Sequence, residues 1–257
     1  MVALNVTGVR VESCEVSGHG QHGVVITGYD SGIDGSTVSS VGCSGVRVSG
    51  GVARTLTAGN SFATGNTVSD FALVKRTYNP GVYWNGVGNN YSHNHVSNSP
   101  HVCFLGGGNE GIPWGSNVDS GSGSQCIFDG NTLDTCVYEC GDCGAFYTCG
   151  QAGQAWVNRG NVLKNSRLTN VGSIGVYLDD QMSGWDLTDN YIQGAKLGFL
   201  LGGGRRNRVL RNTLSGVATG VTLGARGLQS GLWIGLAPRL WADPFGTRHR
   251  YFLQIPL

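Results

Sequence analysis

The sequence predicts an all-β protein, and in particular a parallel β-helix, in which the short strands of successive coils stack on one another. Three observations predict this fold. Glycine is unusually abundant, at 44 of 257 residues, whereas charged residues make up only 13%. A short segment recurs about every two dozen residues, and a second strand-like segment recurs between its copies. Abundant Gly with Asn, Ser, Thr and Val favours short strands joined by tight turns over helices.

The first recurring segment has the general form polar-Asn-x-apolar-polar, and its apolar residue serves as an anchor for comparing the copies. Successive anchors lie 22 to 37 residues apart. The basic unit is therefore about 22–24 residues, with extra residues in the middle units, which is typical of a solenoid with loops on its flank. The anchors are Val16, Val38, Val68, Val96, Leu133, Leu168, Ile192 and Leu214.

The second recurring segment is a strand of the form Gly-apolar-x-apolar. Its alternation has a period of two, so one set of side chains should face the interior and the other set the exterior. Two or three such strands in each unit leave no room for a helix, which excludes leucine-rich and helical repeats and favours coils stacked about 4.8 Å apart. The copies lie at 23–26, 45–48, 175–178, 198–201 and 220–223, and at 101–104 with His in place of Gly.

Asparagine recurs at one turn of successive units. We expect these residues to form a ladder, because side-chain amides can bond to the coils on either side while the backbone adopts the left-handed αL conformation. Their predicted role is therefore structural. They are Asn66, Asn94, Asn131, Asn165, Asn190 and Asn212.

The predicted organisation is one β-helix over residues 1–226, with about eight or nine coils, and an irregular capping tail over residues 227–257. The tail breaks the pattern with Pro238, Pro244 and Pro256, and the end of a solenoid needs a cover for its unpaired edge. Strand-like residues begin at once and residues 1–4 lack the features of a signal peptide. We therefore expect an N-terminally truncated helix whose full-length form is extracellular or secreted.

Charge and hydropathy restrict the partners. The net charge is near +1, which gives no electrostatic reason to expect nucleic acid or an anionic membrane. The sequence has no run of 18 apolar residues, so we expect no membrane insertion. We expect a monomer.

Four of the eight cysteines are crowded into one stretch, at Cys136, Cys140, Cys143 and Cys149. Their spacing suits a zinc site, although such sites usually combine two short Cys-x-x-Cys units and this stretch contains one. Buried small hydrophobic residues and surface disulfides are the structural alternatives.

Two carboxylate clusters, each close to a tyrosine, are the candidates for catalysis. In residues 175–180 the alternation places Tyr177 and Asp179 outside, with Asp180 at the corner. Asp142 lies one long coil earlier, so the coils could bring it over the same face as Asp179 and Asp180. Paired carboxyl groups a few ångströms apart suit acid/base chemistry at a glycosidic bond. Asp at a strand end is also a common turn residue, so a purely structural role stays open.

From residue 79 to residue 226 the sequence resembles right-handed parallel β-helix proteins of carbohydrate metabolism, the pectate-lyase-like superfamily. Within them it is most similar to glycoside hydrolase family 141. The resemblance implies a right-handed helix and cleavage of cell-wall glycans. The matching blocks are 80–84, 86–89, 93–94, 100–101, 107–109, 141–147, 159–161, 177–180, 183–184, 203–205 and 225–228.

In that family paired aspartates are the proposed catalytic residues, and by motif they correspond to Asp142 and to Asp179 or Asp180. The resemblance thus implies a glycoside hydrolase with no metal and no cofactor. Six further residues of the matching blocks and their surroundings are the candidates for holding the substrate. They are Trp84, His101, Tyr147, Arg159, Tyr177 and Arg205.

Two other functions remain open. A polysaccharide lyase of the same fold would remove a proton next to a uronate carboxylate, with Lys or Arg as base and often Ca²⁺ as cofactor. Lys164, Lys196, Arg205 and Arg206 are the candidate bases. A non-catalytic, adhesin-like solenoid would bind glycans without cleaving them.

Overall fold

The computed structural model describes residues 1–53, 55–108, 123–149, 160–204 and 206–224, and the backbone of 237–240 and 249–254. These residues form strands and turns and contain no α-helix. One coil runs from β4 (Val24–Tyr29) through β5 (Gly32–Asp34) and β6 (Thr37–Ser39) and reaches the next coil at β7 (Val46–Val52). Each of these strands pairs in parallel with its equivalent in a neighbouring coil, which confirms the predicted parallel β-helix.

The first sheet is one wall of the helix. Among the described residues it stacks nine parallel strands in chain order, and the short β8 (Thr57–Ala58) pairs antiparallel with β7. Besides β4 and β7, the parallel strands are β1 (Val2–Thr7), β11 (Val82–Gly86), β13 (Phe104–Gly106), β16 (Gly144–Cys149), β19 (Ile174–Asp179), β22 (Leu197–Leu201) and β24 (Thr219–Leu223).

The other two walls are built from shorter strands. The second wall joins its first three strands to the rest through bridges at Asn90. It contains β2 (Arg10–Glu12), β5, β9 (Phe62–Thr64), β14 (Ile127–Asp129), β17 (Asn161–Lys164), β20 (Trp185–Thr188) and the first half of β23 (Arg208–Ser215). The third wall contains β3 (Glu15–Ser17), β6, β10 (Thr67–Ser69), β12 (His95–Ser99), β15 (Thr132–Cys136), β18 (Arg167–Thr169), β21 (Tyr191–Gln193) and the second half of β23.

The eight predicted anchors form a single row along the third wall. Val16 pairs with Val38, and the register continues through every anchor to Ile192 and Leu214. Apart from Val16, which is partly buried, all of them are buried. The repeat therefore reflects the stacking of one inward position on the next, as the sequence predicted.

The asparagine ladder is present, but one of its members is a serine that follows the predicted asparagine. The Asn94 side chain accepts from the Asn66 backbone N–H at 3.1 Å, and the Asn131 side chain accepts from that of Asn94 at 2.9 Å. Ser166, rather than the predicted Asn165, continues the ladder, with its hydroxyl accepting from the Asn131 N–H at 3.2 Å.

We call each asparagine or serine of the ladder a rung. The residue before each rung adopts the αL conformation, and the rung itself does not. His93, Gly130 and Asn165 have φ of 58°, 63° and 51° and precede the rungs Asn94, Asn131 and Ser166. The αL residue turns the chain, and the next side chain then points along the stack. Asn165 is therefore exposed and serves the turn, which is why the expectation for it was wrong.

Large aromatic rings fill the middle of the helix. Trp84 contacts Phe128 and Trp185 at ring centroid distances of 4.8 and 5.6 Å, and its side chain is fully buried. A Cβ on Gly107 would lie 2.0 Å from the Trp84 ring, so only glycine leaves room for the indole there. Trp84 was expected to bind substrate, but it occupies an inward position and cannot contact a ligand on the outer surface.

Two disulfides involve the crowded cysteines. Cys103 and Cys136 are joined across adjacent coils, and Cys140 is joined to Cys143 within one turn. Cys149 keeps its thiol, which contacts Asp180 at 3.3 Å.

The described part of the tail has two strands, β25 (Ala237–Leu240) and β26 (His249–Gln254). β26 pairs antiparallel with β23 and with β25. In the described part of the chain, no helix has the length and apolar character needed to cross a membrane.

The ladder predicts a stability difference between two asparagines. Asn131→Ala should lower the free energy of unfolding by about 1–3 kcal/mol, because the buried Asn94 N–H loses its acceptor. Asn165→Gly is the matched control: it keeps the αL turn, removes an exposed contact with Asp129, and should change stability by less than about 0.5 kcal/mol. Urea unfolding followed by circular dichroism measures both. Equal losses would show that the ladder adds nothing beyond a surface contact.

Candidate functional site

A continuous row of outward-facing residues runs along the first sheet. The registers of the paired strands place the members of this row directly above one another. Because adjacent strands are about 4.8 Å apart, the row is a line of side chains parallel to the axis of the helix. We call it the outer row; its members are Val25, Arg47, Tyr83, Leu105, Tyr147, Tyr177, Leu200 and Thr222.

A groove of about 820 Å³ lies over the first half of the outer row. Of the described residues that line it, three are basic and none is acidic. The Arg47 guanidinium lies 3.8 Å from the centre of the Tyr83 ring, so a cation and an aromatic face are presented together. The lining consists of His22, Val25, Arg47, Lys75, Thr77, Tyr78, Asn79, Tyr83 and Leu105.

His22 is held in one tautomer. The Ser44 backbone N–H donates to its Nδ1 at 3.2 Å, so the proton of the neutral ring is on Nε2. Burial lowers the pKa of His22 below its ordinary value of 6.5, and the positive charges of Arg47 and Lys75 lower it further. At neutral pH His22 is therefore an uncharged hydrogen-bond donor.

A second cluster lies further along the outer face, at the ends of β16 and β19. The Tyr147 hydroxyl donates to Asp179 at 3.0 Å, and the Tyr147 and Tyr177 rings stack with centroids 5.0 Å apart. The Asp180 N–H also donates to Asp179, at 2.8 Å, and the Cys149 thiol donates to Asp180 at 3.3 Å. We call these five residues the tyrosine–carboxylate cluster.

The chemistry of this cluster follows from its burial. Tyr177 lies in the outer row, as predicted, and so does Tyr147, but both tyrosines and Asp179 are buried. Burial raises the pKa of Tyr147, and nearby Cys149 and Asp179 raise it further. Tyr147 therefore keeps its proton and orients the Asp179 carboxylate.

Asp142 does not join this cluster. It is exposed, in the turn that precedes β16. Gly144 pairs with Ile174 at the start of β16 and β19, and Cys149 pairs with Asp179 at their end. Because Asp142 precedes Gly144, the length of the strands alone separates Asp142 from Asp179 by about 16 Å. That is more than the roughly 5–9.5 Å between the carboxyl groups of glycosidases. Asp142 and Asp179 thus do not form the predicted pair, because the long coil places Asp142 where the strands of the first sheet begin, and Asp179 lies where they end.

The remaining candidates are dispersed. His101 is 5% exposed and lies beside Cys143, two residues after β12 and away from Asp179. Lys164 forms an ion pair of 3.2 Å with Asp129 on the second wall. Arg159 and Arg205 lie outside the described residues.

Sequence reasoning missed the groove residues. The signal for Arg47 was present, because it is the x position of a Gly-apolar-x-apolar strand. Tyr83 has the same outward position between Val82 and Trp84. Lys75 gave no signal, since it lies in an irregular loop.

Two groups of donor atoms among the described residues could hold a metal ion. One is His101 with Cys140 and Cys143, and the other is Cys149 with Asp179 and Asp180. In each group the donor atoms lie within 4.8 Å of one another.

Comparison with known proteins supports the fold. The sequence matches no protein-family profile and no curated protein. Among solved structures, the chain is similar to the crystal structure of an alginate lyase from Paenibacillus sp. str. FPU-7, with a TM-score of 0.51 and 12% identity. The match covers 80% of this chain and 77% of the other. At this identity the likeness is one of fold.

The environment of His22 predicts its titration. Its pKa should lie below 6.5, and Arg47→Gln should raise that pKa without restoring the ordinary value, because burial, the larger cause, remains. Arg211→Gln, which changes an exposed arginine on β23, should leave the pKa unchanged. Titration of the ring protons and nitrogens by NMR measures the pKa and the tautomer. An unshifted pKa, or a proton on Nδ1, would contradict this description.

Proposed function

We propose that the protein binds an acidic polysaccharide along the outer row and cleaves it by β-elimination, as a polysaccharide lyase. The groove carries this proposal, because Arg47 and Lys75 give its described lining positive charge, His22 adds a neutral hydrogen-bond donor, and no carboxylate is among the described residues that line it. A uronate chain has one negative charge per sugar, which such a lining attracts. A neutral glycan would gain nothing from this charge.

The geometry of the outer row also suits a polymer. Its side chains repeat once per coil, about every 4.8 Å, and a sugar residue advances a chain by a similar distance. Tyr83 and Tyr78 present aromatic faces on which sugar rings can stack. A polysaccharide lying along the axis would thus meet a charged or aromatic side chain at successive coils.

The reaction requires no water. A base takes the proton from the carbon next to the uronate carboxylate, the bond from the neighbouring carbon to the glycosidic oxygen breaks, and a carbon–carbon double bond forms. The departing oxygen gains a proton. Neutralising the carboxylate makes its neighbouring proton more acidic, and Arg47 and the Nε2–H of His22 can do this in the groove.

His22 does not serve as the base, because its Nε2 already carries a proton. Lys75, Tyr78 and Tyr83 are the groove side chains that can exchange a proton with the sugar. Ca²⁺, which the lyase alternative allows, prefers oxygen ligands, and no carboxylate is among the residues of the described chain that line the groove. The basic side chains therefore provide the neutralising charge.

The similar solved structure agrees with this choice, since it is that of an alginate lyase. The tyrosine–carboxylate cluster favours a second candidate, a glycoside hydrolase that uses Asp179 and Asp180. We place the hydrolase second because Asp142, the partner that the sequence predicted for Asp179, lies at the opposite end of the strands.

Arg47→Gln should lower kcat/KM on polyuronates by about 10²-fold, because one preorganised positive group is lost from the carboxylate. The assay is the ultraviolet absorbance of unsaturated products from a panel of uronate-containing polysaccharides. Arg211→Gln, on another wall, should retain the wild-type rate. New reducing ends without that absorbance would refute the lyase, and binding without cleavage would identify a glycan-binding solenoid.

Asp179→Asn distinguishes the two enzymes. The exchange conserves shape and the Tyr147 contact, so a lyase that works in the groove should keep its rate within about threefold. A hydrolase that depends on Asp179 should lose at least about 10²-fold in kcat. Tyr147→Phe serves as a companion variant, since it removes the contact from the other side. A large loss of ultraviolet-absorbing product in both variants would move the catalytic centre to the cluster.

A further inference from the structure

His101, Cys140 and Cys143 meet at one end of the outer face. His101 follows β12, and the two cysteines lie in the turn that leads into β16. The Nε2 atom of His101 is 3.2 Å from the Cys143 sulfur. The three donor atoms, one from each residue, all lie within 4.8 Å of one another, which is close enough for one small cation to reach all three once the disulfide is open.

The turn that carries the cysteines is fixed from several directions. The Val137 N–H donates to Ser99 at 2.9 Å, the Glu139 N–H donates to Pro100 at 2.9 Å, and the Ser173 hydroxyl donates to Gly141 at 2.7 Å. Besides these hydrogen bonds, the Cys103–Cys136 disulfide ties the start of the turn to the neighbouring coil. The donor atoms are thus held by a rigid backbone, as a preorganised metal site requires.

We propose that the Cys140–Cys143 disulfide is the oxidised form of a binding site for zinc or a similar thiolate-seeking cation, with His101 as the third ligand. A dithiol or phosphine reductant supplies two electrons, the sulfur–sulfur bond breaks, and each sulfur takes up a proton. The cation then displaces these protons as it binds the two thiolates. This proposal is independent of the proposed lyase activity.

The ligand chemistry fits such a cation. Zinc binds cysteine sulfur and histidine nitrogen in a tetrahedron, and three protein ligands leave one position open for water. Zinc binds the neutral imidazole, and the Nε2 atom of His101 lies beside the Cys143 sulfur. The buried Nδ1 of His101 has no hydrogen-bond partner among the described residues, so no neighbour there fixes the tautomer of the ring.

The site also adjoins the groove. The Tyr78 ring, which lines the groove, packs on the His101 ring with centroids 4.7 Å apart. An ion pair between Arg76 and Glu139 joins the loop of Tyr78 to the turn that carries Cys140. A cation on His101 would therefore lie directly behind the wall of the groove.

Cobalt(II) titration of the reduced full-length chain tests the proposal, because cobalt bound to thiolates in a tetrahedron absorbs in the near ultraviolet and visible. After reduction with a phosphine under nitrogen, the wild type should bind one equivalent, and zinc should displace it. The oxidised protein should show no such spectrum. Alkylation and peptide mapping of the reduced protein should identify Cys140 and Cys143 as the opened pair.

Variants assign the ligands. His101→Ala should weaken cobalt binding by at least about 10–100-fold, the loss that even an outer-sphere partner causes. Cys140→Ser, at a partly exposed position that the fold tolerates, should lose one thiolate from the spectrum. Cys14→Ser is the control, because Cys14 is an exposed free thiol, and should bind as the wild type does.

Circular dichroism of each variant separates loss of ligand from loss of fold. The proposal is wrong if the reduced, folded wild type binds no cobalt, or if folded His101→Ala and Cys140→Ser bind it unchanged.

Discussion

In-register parallel pairing between coils is the constraint on which the rest of the structure depends. It fixes each inward residue above its equivalent, as the row from Val16 to Leu214 shows. The same register fixes the outward residues, so a functional surface arises from positions scattered widely along the chain. A slip of one residue would turn a whole strand inside out and bury Arg47 in the core.

Side-chain hydrogen bonds and glycines allow the paired coils to enclose buried polar groups and large aromatic rings. The asparagine ladder satisfies buried backbone N–H groups at a turn where the sheet pairing is interrupted. A second set, which includes Asn89, Asn161 and Asn207, acts in the same way at another corner. Gly107 leaves space for Trp84, which lets a narrow helix enclose large rings. The buried asparagines and the buried aromatic rings are thus both arranged coil by coil.

The outer face combines two chemically distinct regions on one line. The groove around Arg47 is cationic, and the tyrosine–carboxylate cluster around Asp179 is acidic and buried. Leu105 lies between them in the outer row. On the proposal of a lyase, the anionic chain would lie against the cationic first region, which is the electrostatic reason for preferring elimination in the groove to hydrolysis at the carboxylates.

Much of the scaffold was predictable because it repeats. Period-two alternation and the recurring anchors are local patterns that the stacking converts directly into rows, and they gave the fold and the outward position of Tyr177. Errors arose at single positions: Ser166, one residue later, takes the place predicted for Asn165 in the ladder, and Trp84, which the resemblance made a substrate residue, lies inside.

By itself, then, the sequence determined the coil, its rows and the absence of helices from the part of the chain that the structure describes, since these follow from spacing along the chain. Only the tertiary structure decided where the inserted loops place their side chains. Lys75 reaches His22, His101 reaches Cys143, and Asp142 stays apart from Asp179. Loop residues have no periodicity, so their positions depend on contacts between coils that the order of residues does not encode locally.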